Sequence, residues 1–139
     1  MVTVEFKGNY DKNKNLSIFK YINTPKSKED IEFVVERATP LWKGDGIHKS
    51  WNITDITALG QAPPSLVIYY NKLCKPILKK HVHNYVVIAG TLLEKVATSL
   101  FNTFMGEKHP VVSSMEEALE MIEKLQARDG VFPGKAENL

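Results

Sequence analysis

The run Tyr85-Val86-Val87-Ile88-Ala89 is apolar at every position, and it stops at Gly90. A strand that alternates polar and apolar residues can leave one face in water, whereas a strand that is apolar throughout must be covered on both faces. A short run of this kind therefore belongs in the interior of a sheet, with other layers packed above and below it. The neighbouring segments should then read as helices.

They do. Leu66, Tyr69, Tyr70, Leu73 and Ile77 recur at helical spacing behind Pro63-Pro64, a pair tolerated only at or before a first turn. Thr91-Leu92-Leu93-Glu94 has the form of a capping box, and Leu93, Val96, Ala97, Leu100, Phe101 and Phe104 follow as a core-facing stripe, with Gly106 as the stop. Ser27 stands three residues before Asp30, ahead of Ile31, Val34, Val35, Ala38 and Leu41. Ser114-Met115-Glu116-Glu117 is a further capping box, opening a helix to about residue 126 with Ala118, Leu119, Ile122 and Leu125 inward.

Between the helices lie strand patterns at residues 2–6, 16–22 and 50–56 and a brief one at Pro110-Val111-Val112. The polar stretch at residues 8–15 supplies turn chemistry for a hairpin between the first two strands. Residues 127–139, with Gly130, Pro133 and Gly134 and few apolar side chains, have little to bury and read as a loosely held tail. The order is ββαβαβαβα. It predicts one α/β domain over residues 1–126, a mostly parallel mixed sheet covered by helices, with the first strand free to run against the others.

Composition narrows the partners. The 139 residues are 43% apolar, enough for one domain with its own core. The 18 Lys plus Arg against 16 Asp plus Glu leave a formal charge of +2, which does not suggest a nucleic-acid partner. One cysteine, Cys74, excludes an internal disulfide and fits a reducing, cytoplasmic setting. There is no apolar run of about 18 residues to form a transmembrane segment and no signal-peptide pattern, so the expectation is a soluble protein.

Three segments carry a family resemblance: Asn52-Ile53-Thr54-Asp55-Ile56-Thr57-Ala58-Leu59, Val86-Val87-Ile88-Ala89-Gly90, and Val112-Ser113-Ser114-Met115-Glu116-Glu117-Ala118-Leu119-Glu120-Met121-Ile122. Together with the element order over residues 2–126, they resemble the STAS domain of bacterial anti-sigma-factor antagonists, and more closely its small SpoIIAA-like relatives. The first segment is similar to the family's third strand with its D-x-[ST] ending, the second to its fourth strand, the third to its last strand and helix. The resemblance implies a non-enzymatic regulatory or protein-interaction module. The family's antagonists carry D-S-[ST]-G after the third strand, with the serine phosphorylated by a partner kinase. This chain has Gly60-Gln61-Ala62-Pro63-Pro64-Ser65 instead, so Ser65 is a substitute by position only. SpoIIAA-like domains also resemble CRAL-TRIO lipid-transfer domains, which implies a second reading, a carrier or sensor of a small apolar or lipid-like ligand.

In open α/β sheets ligands collect beyond the carboxyl ends of the strands, where helix N-termini expose N–H groups. The candidate edge for a ligand or partner is Asp55, Thr57, Ser65, Gly90 and Thr91, with Ser65 and Thr57 as candidate phospho-acceptors. Against that stands the ordinary work of such residues, Asx and Thr side chains bonding their own backbone and Ser or Thr capping helices. Leu66, Tyr69, Tyr70, Leu100, Phe101 and Phe104 would wall an apolar pocket in a carrier, or be plain core. His81-Val82-His83 would put two imidazoles on one side of a strand, but no third ligand lies near, so no metal site is expected. Lys72, Lys75, Lys79 and Lys80 share a face of the second helix, either solvated or facing an acidic partner or anionic head groups. Cys74 sits mid-helix as a packed residue, and no cofactor or catalytic motif occurs, so no cofactor and no enzyme activity are expected. Self-association through a sheet edge or helix face is open.

Overall fold

The computed structural model describes residues 2–11, 14–58, 63–90 and 109–130. Among these, five strands form one sheet in the order β1-β2-β3-β4-β5: β1 Val4–Asp11, β2 Leu16–Tyr21, β3 Ser50–Asp55, β4 Val82–Ile88 and β5 Val111–Val112. β1 runs antiparallel to β2, and every later pairing is parallel. Three helices are described, α1 Lys28–Trp42, α2 Pro64–His81 and α3 Met115–Asp129. The expected third helix, from Thr91 to about Phe104, lies outside the described residues.

The layers follow from side-chain alternation. On one face Phe19, Val82, Tyr85 and Val87 pack against Ile31, Val35, Ala38 and Trp42 of α1 and Leu66, Cys74 and Leu78 of α2. On the other, Leu16, Ile18, Trp51, Ile53, Val86 and Ile88 pack against Ala118, Ile122 and Leu125 of α3. Residues 85–89 are buried throughout, as an apolar run requires.

Two helix starts carry the caps their sequences announce. Ser27 Oγ accepts the Asp30 N–H at 3.2 Å, and Ser114 Oγ accepts the Glu117 N–H at 3.2 Å, while Glu117 Oε2 accepts the Ser113 N–H at 3.0 Å. Asp30 also accepts from Val2 N–H (3.1 Å) and Lys26 N–H (2.9 Å), which pins the segment before β1 to the start of α1. α3 runs three residues beyond the expected end at Gln126, because Gly130 closes it in the left-handed conformation (φ 67°) and Asp129 finds partners in His83 and Arg128.

The connection from α1 to β3 is tied to the hairpin through Asn15, a buried residue with φ 52°. Its Oδ1 accepts the Asp45 N–H (3.0 Å) and its Nδ2 donates to His48 O (3.2 Å). Gly44, with φ 55°, passes so close that a Cβ there would lie 2.3 Å from Asn15 Oδ1. This contact sets where residues 43–49 sit.

Candidate functional site

The carboxyl ends of β3 and β4 lie side by side, with Asp55 level with Ile88 and the Ile56 N–H donating to Ile88 O at 3.0 Å. Asp55 and Gly90 therefore reach the same edge. Asp55 Oδ1 accepts both the Thr57 N–H (2.9 Å) and the Thr57 hydroxyl (2.7 Å), so the acid and the threonine close a local turn on each other. Thr57 is exposed and Asp55 half-buried.

Ser65 does not cap α2. Pro63 is the N-cap, without a side-chain bond, and Pro64 and Ser65 are the first two helical residues, with Ser65 exposed. Pro64 has no N–H, and both Leu66 and Val67 N–H donate to Pro63 O at 3.0 and 3.2 Å. Among the described residues this leaves only the Ser65 N–H uncommitted in the first turn, a thin donor set for an anion. Residues 59–62 and Thr91 lie outside the described residues.

Of the six residues proposed as an apolar wall, three are described, and all three join the layer between α1, α2 and the sheet. Leu66 is buried in that core. Tyr69 donates its hydroxyl to Glu32 Oε2 at 2.9 Å, with the Lys28 ammonium 5.2 Å from its ring, and the Glu32 carboxylate, with smaller help from burial, raises its pKa. Tyr70 packs with Tyr21 and Cys74, and burial drives both phenols upward; it also pushes the Cys74 thiol up to about 12. Cys74 stays a protonated core residue, as its mid-helix position suggested. Leu100, Phe101 and Phe104 lie outside the described residues.

The paired imidazoles do not share a strand. His81 ends α2 and His83 belongs to β4, and His83 instead donates from Nε2 to Asp129 Oδ2 (2.9 Å) and packs at a tilt against Trp51 with ring centres 4.8 Å apart. The expected spacing fails because the helix end falls between the two residues. Among the described residues no group of three His, Cys, Asp or Glu could hold a metal ion.

The polar row on β3 is the feature that sequence reading missed. Ser50, Asn52 and Thr54 point to the α1 and α2 side, opposite Trp51 and Ile53. Asn52 Nδ2 donates to Ser17 Oγ at 3.0 Å, and Asn52 Oδ1 accepts from Thr54 Oγ1 at 2.5 Å. Ser50 Oγ lies between the last carbonyls of both helices, donating to Trp42 O with His81 O 3.3 Å away. The polar-apolar alternation of Ser50-Trp51-Asn52-Ile53-Thr54 was the available signal.

No protein-family model and no curated protein sequence matches the chain. Its fold does match a solved structure, an uncharacterized protein of the DUF3478 family with a SpoIIAA-like fold from Shewanella loihica PV-4. The two are 18% identical, with a TM-score of 0.65 over 87% of this chain and 93% of that one. No helix among the described residues is long and apolar enough to cross a membrane. With its mixed, mostly parallel sheet between helical layers, the chain has a SpoIIAA-like fold.

Proposed function

We propose that this domain is a non-enzymatic regulatory module that binds a protein partner, or a second copy of itself, through the carboxyl edge of β3 and β4 and the start of α2. One observation carries this reading. That end of the sheet combines exposed hydroxyls at Thr57 and Ser65 with exposed apolar side chains, Ile22 after β2 and Ile68 on α2, 40% and 61% accessible. A mixed surface of this kind has the composition of a non-obligate protein interface. Asp55 holds the turn in shape, and Gly90 follows β4 at the same edge.

A phosphate switch on this surface would use Ser65 rather than Thr57. Thr57 Oγ1 is spent on Asp55, and a phosphate there would face that carboxylate, whereas Ser65 is exposed beside the positive end of the α2 dipole. The test is native mass spectrometry of protein purified from its source, beside Ser65→Arg and Ile68→Asp variants. A complex or dimer lost in both variants supports the module. Bound lipid, with no complex, would replace it with the carrier reading that names Leu66, Tyr69, Tyr70, Leu100, Phe101 and Phe104.

A further inference from the structure

At the opposite end of the parallel strands, where α1 and α2 finish and β3 and β4 begin, lies a depression of about 380 Å³. It is lined by Lys43, Gly46, Ile47, His48, Lys49, Lys80 and His81, so five of its seven residues carry a basic side chain. We propose that this depression is a binding site for the phosphate group of a small phosphorylated molecule. The site is independent of the protein-interaction edge and does not rest on it.

Charge is the first ground. No carboxylate lines the depression among the described residues, and the adjacent acid, Asp45, is already used. Its Oδ1 accepts the Ile47 and His48 N–H groups (both 2.8 Å) and its Oδ2 accepts from His48 Nδ1 (2.9 Å). Burial works to raise the Asp45 pKa, but these bonds outweigh it and hold the carboxyl ionised.

The plain alternative is that the lysines serve the helix ends. Two helix C-termini present together roughly one negative charge. Several of their carbonyls have partners in the protein: Ser50 Oγ donates to Trp42 O, Lys49 Nζ to Lys79 O at 3.2 Å, and the Lys43, Gly44 and Val82 N–H groups to Thr39 O, Leu41 O and Leu78 O. Among the described residues Lys43 and Lys80, both exposed, remain as surplus cations over the depression. The His81 pKa is lowered first by burial and then by the nearby Lys80 and Lys43 charges.

Shape is the second ground. The volume suits a small molecule. The rim loop is held by Asn15 and by the Asp45 turn, so the backbone that carries His48 and Lys49 is fixed before a ligand arrives. Ile47, 84% accessible, stands at the rim with no core to join, where it can cover the uncharged part of a phosphorylated ligand. Phosphate suits ammonium groups acting as point charges, with imidazole N–H donors beside them.

The test is titration of the whole protein with inorganic pyrophosphate at constant ionic strength, and flotation with vesicles of equal parts phosphatidylcholine and phosphatidylserine. A Lys43→Gln/Lys80→Gln variant should weaken binding by about a hundred-fold, taking about ten-fold for each lost charged hydrogen bond. A control with the same charge change, Lys72→Gln/Lys124→Gln, should leave binding unchanged, and both variants should melt like the parent. Saturable pyrophosphate binding identifies a soluble ligand. Vesicle binding lost in Lys43→Gln/Lys80→Gln and in Ile47→Ser identifies a lipid headgroup. Binding to neither probe, or equal weakening by the control pair, overturns the proposal.

Discussion

The two faces of the sheet solve the burial problem differently. The face under α3 is packed from Leu16, Ile18, Trp51, Ile53, Val86 and Ile88 against Ala118, Ile122 and Leu125; Trp51 Nε1 has no partner among the described residues, and the buried Gln126 of α3 donates from Nε2 to Lys14 O at 2.9 Å. The face under α1 and α2 is threaded with polar groups, Ser17, Ser50, Asn52 and Thr54 from the strands and the Tyr21, Tyr70 and Cys74 cluster beside them. Apolar contact is tolerant of direction, whereas a buried hydrogen bond accepts one arrangement. Both faces, the drier one under α3 and the threaded one, bury apolar side chains and so drive folding, and the threaded face in addition holds the helices in register with the strands. Ser50 is the clearest instance, because its hydroxyl at the start of β3 donates to the end of α1 and lies beside the end of α2.

If the faces differ in this way, truncation on the dry face should cost most. Ile122→Ala removes a fully buried side chain facing the sheet and is expected to cost about 4 kcal/mol, within the range for large-to-small core changes, read from urea denaturation. A cost below that of Asn52→Ala would break the comparison.

The next effect is one of pH. His109 stacks on Tyr85, ring centres 3.5 Å apart, and burial lowers its pKa from 6.5 to about 4. The folded state therefore binds fewer protons than the unfolded state between those values, so stability should fall as pH drops from about 6.5 to about 4 and change no further through this group below that. The loss is on the order of 3 kcal/mol, and a His109→Gln variant should remove this slope from denaturation midpoints measured across the window.

Asn52→Ala should cost about 2 kcal/mol, because Ser17 Oγ loses its partner in a buried place and Thr54 Oγ1 in a half-buried one. Adding Ser17→Ala and Thr54→Val to it should recover part of that loss, since the orphaned groups are then gone. Strict additivity in the same denaturation assay would show that the row is not a connected network.

The smallest effect belongs to the rim of the dry face. Hydrogen bonds from Arg128 and then His83 hold the Asp129 carboxyl down to about 2, against 3.8 for the free group. That contribution is complete above about pH 4 and is lost as pH falls through about 2. Asp129→Asn should flatten the stability profile in that interval by less than about 1 kcal/mol, as expected of a pair near solvent.

Legibility followed the range of the interaction. The Ser27 and Ser114 caps and the fully buried β4 were readable because each depends on neighbours within a few residues or on burial of a whole segment. The turn at Asp55 and Thr57 was readable for the same reason. The His81 and His83 pairing was misjudged because one helix turn more or less decides whether two residues share a strand. Polar residues alternating in β3 look like a solvent face, and only the docking of two helices over them makes them a buried network.

Sequence alone determined the class of this fold and the order of its described helices and strands, while β1 runs on to Asp11 through part of the stretch expected as a turn and β4 begins at Val82 rather than Tyr85. Periodicity, caps and turn residues are local, and they carry that information. Tertiary structure decided which polar side chains were buried and which lysines came together. Lys43 and Lys49 arrive from one connection and Lys80 from the far end of α2, and only parallel pairing of β3 with β4 brings those two segments to one depression.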